Sequence, residues 1–139
     1  MSTDDLFTSA GGSQSDPELR IAQDRFGPSG VLVSFSGEID LAAAPSVRAC
    51  LHDAIGAGAS RLVVDLRAVS FLDSSALAAI LGARKRLADS GHMAVVVSPD
   101  SYVRLVLEIA GMPACLDLFD TRDAAIAHLN AVTSAQALS

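Results

Sequence analysis

Two short runs made only of apolar residues, Leu62-Val63-Val64 and Met93 to Val97, constrain this chain more than any other feature. A strand with one face in water alternates apolar and polar residues. A run that is apolar at every position is covered on both faces, which is the signature of a parallel sheet with helices packed over it. Helical patterns lie between and around these runs. Pro45 opens one that carries Val47, Leu51, Ala54 and Ile55 and stops at Gly56 and Gly58. A second starts at Asp73, places Leu77, Ile80, Leu81, Arg84 and Leu87 near one face, and meets a natural stop at Gly91. Val103, Val106, Leu107 and Ala110 mark a third, ending at Gly111. A weak strand over Leu116 to Phe119 precedes a last helix over Thr121 to Leu129, opened by a threonine cap.

Ahead of these elements, Leu19 to Phe26 alternates loosely, Gly27-Pro28-Ser29-Gly30 is turn chemistry, and Val31 to Ser36 alternates again, so this stretch reads as a β-hairpin. Strands alternating with helices at these spacings require βαβ crossovers. The expected class is α/β: a mostly parallel sheet of four to five strands with an antiparallel N-terminal edge strand and about four helices. With 139 residues, half of them apolar, the chain suffices for one domain. We expect that domain over residues 19–130. A Ser-, Gly- and Asp-rich tail without apolar period precedes it at 1–18, and a short tail follows at 131–139.

Charge and composition exclude several classes of function. The formal charge is −6 and Lys85 is the single lysine, the reverse of what a phosphate backbone attracts. The cluster Arg84-Lys85-Arg86 lies inside a helical pattern and reads as a solvated face. No run reaches the roughly 20 apolar residues that span a bilayer, and Met1 to Ala10 lacks the features of a signal peptide, so a cytoplasmic protein without membrane contact is expected. Cys50 and Cys115 stand far apart and read as buried thiols packing as small apolar groups. Three scattered histidines, His52, His92 and His128, assemble no metal site, and no cofactor motif is present. Gly56-Ala57-Gly58-Ala59-Ser60 lacks the lysine of a phosphate-binding loop and follows a helix, so it reads as a helix-to-strand connection.

In open α/β sheets the functional crevice lies beyond the carboxyl ends of the strands. Two segments should meet there: Gly37-Glu38-Ile39-Asp40-Leu41, after the second strand, and Ser70-Phe71-Leu72-Asp73-Ser74-Ser75, before the second helix. Asp73 stands at an N-cap position, where its carboxylate can accept from the free N–H groups of Ser75 or Ala76, and Ser74 and Ser75 fall in the first turn. Taken alone, Asp-Ser-Ser is simply good helix-start chemistry.

The stretch from Val64-Asp65-Leu66 to Val69-Ser70-Phe71-Leu72-Asp73-Ser74-Ser75-Ala76-Leu77 resembles the phosphorylation-site segment of STAS-domain anti-sigma factor antagonists. Gly37-Glu38-Ile39-Asp40 resembles that family's Gly-Glu-Leu/Ile-Asp motif at the matching separation, and the resemblance runs over roughly Leu19 to Leu129. It implies a single STAS domain and a regulatory protein that is not an enzyme. The implied phosphoacceptor is Ser75, modified by an anti-sigma factor that is also a serine kinase and restored by a PP2C-type phosphatase. The unphosphorylated form would bind the anti-sigma factor and free the sigma factor, with Asp40, Leu41, Asp73, Ser74 and Ala76 at the partner surface. One departure is visible: Ala76 stands where the family usually has glycine.

Two other readings remain open. STAS domains also serve as interaction modules in other signalling assemblies and at the end of anion transporters. A serine at a strand-to-helix turn is also the geometry of a small serine hydrolase, although Asp-Ser-Ser-Ala-Leu lacks the G-x-S-x-G elbow.

Overall fold

The computed structural model describes residues 18–88 and 91–138. Strands β1 (Arg20–Phe26), β2 (Gly30–Ile39), β3 (Arg61–Leu72), β4 (His92–Val96) and β5 (Asp117–Phe119) form one sheet in sequential order. β1 pairs antiparallel with β2, and every later pair is parallel. The described residues also form four α-helices, α1 (Ala44–Gly56), α2 (Ser74–Leu87), α3 (Tyr102–Ile109) and α4 (Arg122–Leu138), and a short 3-10 helix over Met112–Ala114. This is the expected α/β architecture, with five strands. The expected N-terminal tail lies, apart from Glu18, outside the described residues. α4 runs to Leu138, past the Leu129 at which the apolar pattern fades.

Alternation in the strands sorts the core into two layers. Val31, Val33, Phe35, Leu62, Val64, Met93 and Val95 point to one face, where Val47 and Leu51 of α1, Ala76 and Ile80 of α2, and Val103 and Leu107 of α3 cover them. Leu32, Val63, Ala94 and Val96 point to the other, where α4 covers them through Ala125 and Leu129. Leu62, Val63 and Val64 are each completely buried, as a continuous apolar run requires.

Some sequence expectations need correction. β3 continues well past the end of its apolar run at Val64, to Leu72, and β2 reaches Ile39, so Gly37-Glu38-Ile39 and Ser70-Phe71-Leu72 belong to strands rather than to loops. The reason lies in two register shifts between β2 and β3, one between Ser34 and Ser36 and one between Gly37 and Glu38. Each shift inserts an extra residue on β3, and the buried positions there become Leu66, Val69 and Leu72, spaced by three instead of two. Helix α2 ends at Leu87, ahead of the expected stop at Gly91. Gly91 lies where the chain passes the carbonyl of Ser60, which accepts from the backbone N–H of His92 at 2.9 Å. Finally, Cys115 is exposed and Cys50 half-buried, so neither is the buried core thiol expected. Arg84, Lys85 and Arg86 are exposed, as a solvated face should be.

Candidate functional site at the carboxyl edge of the sheet

β2 and β3 end side by side. Ile39 is in register with Leu72, and each strand is followed at once by an aspartate, Asp40 at the turn that leads into α1 and Asp73 at the N-cap of α2. The backbone N–H of Asp73 donates to the carbonyl of Ile39 at 3.2 Å and holds the two junctions together. Gly37 fits the motif on conformational grounds. Its φ is +100°, and the carbonyl of Glu18 occupies the space a Cβ would need.

Asp73 caps α2. Its Oδ1 accepts from the backbone N–H of Ser75 at 3.0 Å, from that of Ala76 at 3.2 Å, and from the hydroxyl of Ser75 at 2.5 Å. The hydroxyl of Ser75 and these two backbone donors hold the Asp73 carboxyl below the ordinary carboxylate range, because each stabilises the ionised form. Ser75 is half-buried and Ser74 exposed. At the neighbouring junction, Asp40 Oδ1 accepts from the backbone N–H of Ala43 at 2.9 Å, and the Asp40 carbonyl accepts from Ala43 and Ala44 at 3.1 and 3.0 Å. Asp40 is exposed and doubles as a turn anchor for α1. Leu41, beside it, is 73% exposed, unusual for a leucine.

The structure therefore brings Asp40, Leu41, Asp73, Ser74 and Ser75 to one edge. It removes Ala76 from the surface: that residue is fully buried, its methyl turned into the core against the sheet. The alanine that replaces the usual glycine thus adds no bulk around Ser75.

Sequence reasoning missed the groove that leads away from Ser75. It runs between α1 and α2, is floored by Ala44, Ala79 and Gly82, and is walled by Leu41, Arg48 and His52. Only the packing of two helices creates it, although the small residues of α2 (Ala78, Ala79, Gly82) were a usable signal that something approaches this helix closely. His52 lies along this groove, but its Nδ1 faces Arg86 Nη1 at 3.0 Å, while the Ser75 hydroxyl is engaged by Asp73. Among the described residues no group of three His, Cys, Asp or Glu side chains could hold a metal ion, and no helix is long and apolar enough to cross a membrane.

With this geometry in view, the relationship to known proteins is definite. The STAS domain family model matches residues 21–125, and the chain belongs to that family. An anti-sigma F factor antagonist from Paenibacillus polymyxa is 28% identical over 104 residues, which are 74% of this chain and 89% of that protein. A solved anti-sigma factor antagonist from Mycobacterium paratuberculosis superposes with a TM-score of 0.74 at 25% identity, over 81% of this chain and 95% of that one. The Bacillus cell fate determinant SpoIIAA, solved in its phosphorylated form, superposes with a TM-score of 0.61 at 25% identity, over 78% and 98% of the two chains.

Proposed function

We propose that this protein is a cytoplasmic anti-sigma factor antagonist switched at Ser75. Its unphosphorylated form binds an anti-sigma factor that is also a serine kinase and so frees a sigma factor. Phosphorylation of Ser75 abolishes binding, and a PP2C-type phosphatase restores it. The names of the relatives support the class of partner, and the phosphorylated Bacillus homologue supports the chemistry.

The observation that carries this reading is the Ser75 hydroxyl, half-buried at a helix N-terminus and held 2.5 Å from Asp73 Oδ1. Phosphorylation replaces the proton that Asp73 accepts with a group of about −1.5 to −2 charges. The N-terminal end of α2 favours negative charge, so the helix persists. The surface changes completely: a phosphoryl group beside Asp73 and near Asp40 presents unpaired negative charge to a partner shaped for a hydroxyl. Leu41 and Ser74 complete the contact surface, with the exposed leucine as its apolar anchor.

Incubation with the cognate kinase and ATP, followed by peptide mass mapping, tests the assignment. Phosphate is expected on Ser75 in the wild type and in Ser74→Ala, and on neither serine in Ser75→Ala. Ser75→Ala should bind the anti-sigma factor in every phosphorylation background, and Ser75→Asp should fold normally yet bind at least about tenfold more weakly. Phosphate on Ser74, or undiminished binding by Ser75→Asp, contradicts the reading.

A further inference from the structure

Among the described residues, the face of the sheet that carries α4 has one helix where the opposite face has three, and the part of it that these residues leave uncovered is not apolar. Cross-strand pairing sets Arg20 opposite Ser36 and Ala22 opposite Ser34 on β1 and β2, and Ser34 is in register with Asp65 on β3. The first β2–β3 register shift falls here, between Ser34 and Ser36. Arg122, the first residue of α4, and Ser98, just past β4, close the far side. The result is a cleft of about 460 Å³ lined by Arg20, Ser34, Ser36, Arg67, Ser98 and Arg122, with Ala22 and Ala68 as its apolar wall.

Asp65 organises the cationic side of this cleft. It is 4% exposed and takes Arg67 in a two-pronged contact, Nε to Oδ1 at 3.1 Å and Nη2 to Oδ2 at 3.0 Å. Arg122 Nε donates to Oδ2 at 2.6 Å, and Arg122 Nη2 to Ser34 Oγ at 2.8 Å. One carboxylate thus fixes two guanidinium groups. Their Nη1 donors, and the whole guanidinium of Arg20, have no hydrogen-bonding partner among the described residues. Three arginines against one aspartate leave the cleft about two charges positive, in a chain of net charge −6. Pre-fixed guanidinium forks with hydroxyl donors between them are suited to an oxyanion, and the two-charge excess matches a dianion. The volume is that of a small-molecule site.

We infer that this cleft binds a small phosphorylated metabolite, its phosphomonoester head held by Arg20, Arg67 and Arg122 and its body lying on Ala22 and Ala68. The site is built on the opposite face from α1 and α2, and the inference stands independently of whether Ser75 is phosphorylated.

The test is an amide-resonance titration of the full chain at constant ionic strength, with inorganic phosphate and with phenyl phosphate as probes. Both should give saturable shifts at residues 20–22, 34–36 and 98, with phenyl phosphate binding at least threefold more tightly because it uses the apolar wall. Arg20→Ala is the chosen variant, because Arg20 is exposed and forms no ion pair with a described residue, so the fold is left intact. It should weaken both probes at least fivefold. Shifts that rise linearly without saturating, shifts clustered away from the cleft, or affinity unchanged in Arg20→Ala would each overturn the inference.

Discussion

Asp65 and Asp73 are both carboxylates of the β3 segment, one within the strand and one just past its end, and both are held below their ordinary pKa, but by different means. Burial pushes Asp65 up, and the hydrogen bonds from the guanidinium groups of Arg67 and Arg122 more than offset it. Asp73 is held by a hydroxyl and two backbone N–H groups, with no cation of the described residues in hydrogen-bonding contact. The first arrangement is closed, with both carboxylate oxygens engaged by charged donors. The second keeps one of its donors, the Ser75 hydroxyl, on a half-buried side chain, the one that the proposed partner would cover and the proposed kinase would modify. Perturbed acidity alone does not distinguish framework from switch; the identity and exposure of the donors do.

Removing Asp65 should have the largest effect. Loss of one partner from a buried charged cluster costs about 3–5 kcal/mol when the remaining charge is trapped. Here Arg67 and Arg122 retain side-chain exposures of 39% and 41% and can rehydrate. We therefore expect Asp65→Ala to destabilise by about 2–3 kcal/mol, read as a fall in Tm of roughly 10 °C. Acid should remove the same contribution. The folded-state pKa of Asp65 lies below its unfolded value of about 3.9, so the stabilisation is complete above that value and disappears as pH falls through the folded pKa. Denaturant unfolding at a series of pH values should show this loss in the wild type, and Asp65→Asn should flatten it. An Asp65→Asn profile as steep as the wild type would mean that the cluster is not where acid acts.

That cluster was invisible in the sequence. Asp65 follows Leu62-Val63-Val64 directly and could be seen only as the end of an apolar run, whereas its partner Arg122 is 57 residues away. The rest of β3 was hidden for a geometric reason: with bulges at two places, Leu66, Val69 and Leu72 fall into a spacing of three that resembles neither strand alternation nor a helical face. The parallel sheet, the helices and the Asp73 cap were legible because each rests on local chemistry: a continuous apolar run, 3.6-residue periodicity, and an aspartate two residues before an unpaired N–H. The groove between α1 and α2 and the arginine cleft depend on which faces meet, and no local pattern carries that information.

Asp73→Ala should have a smaller effect on stability and a qualitatively different one on the site. It removes the acceptor of three hydrogen bonds at the start of α2, and loss of such a cap should lower Tm by about 4 °C. It also frees the Ser75 hydroxyl from its 2.5 Å contact, so the rate of Ser75 phosphorylation should change by more than the stability loss explains. Restoring the cap with Asp73→Asn should recover most of the Tm. If phosphorylation kinetics then also return to wild type, Asp73 acts by orienting Ser75, and its charge is dispensable.

The smallest expected effect separates the two junctions themselves. Asp40 caps a turn through one side-chain hydrogen bond, to the backbone N–H of Ala43, and is otherwise exposed. Asp40→Ala should therefore lower Tm by only about 2 °C, while Asp40→Asn, which can still accept from Ala43, should leave it unchanged. Binding to the anti-sigma factor reads the other role. If the Asp40 carboxylate meets a cation on the partner, Asp40→Asn should weaken binding by roughly fivefold or more despite its wild-type Tm, since about 1 kcal/mol is enough for that change. If Asp40→Asn binds as the wild type does and only Asp40→Ala weakens binding, the junction before α1 matters for the shape it gives Leu41, and the negative charge of Asp40 takes no part in recognition.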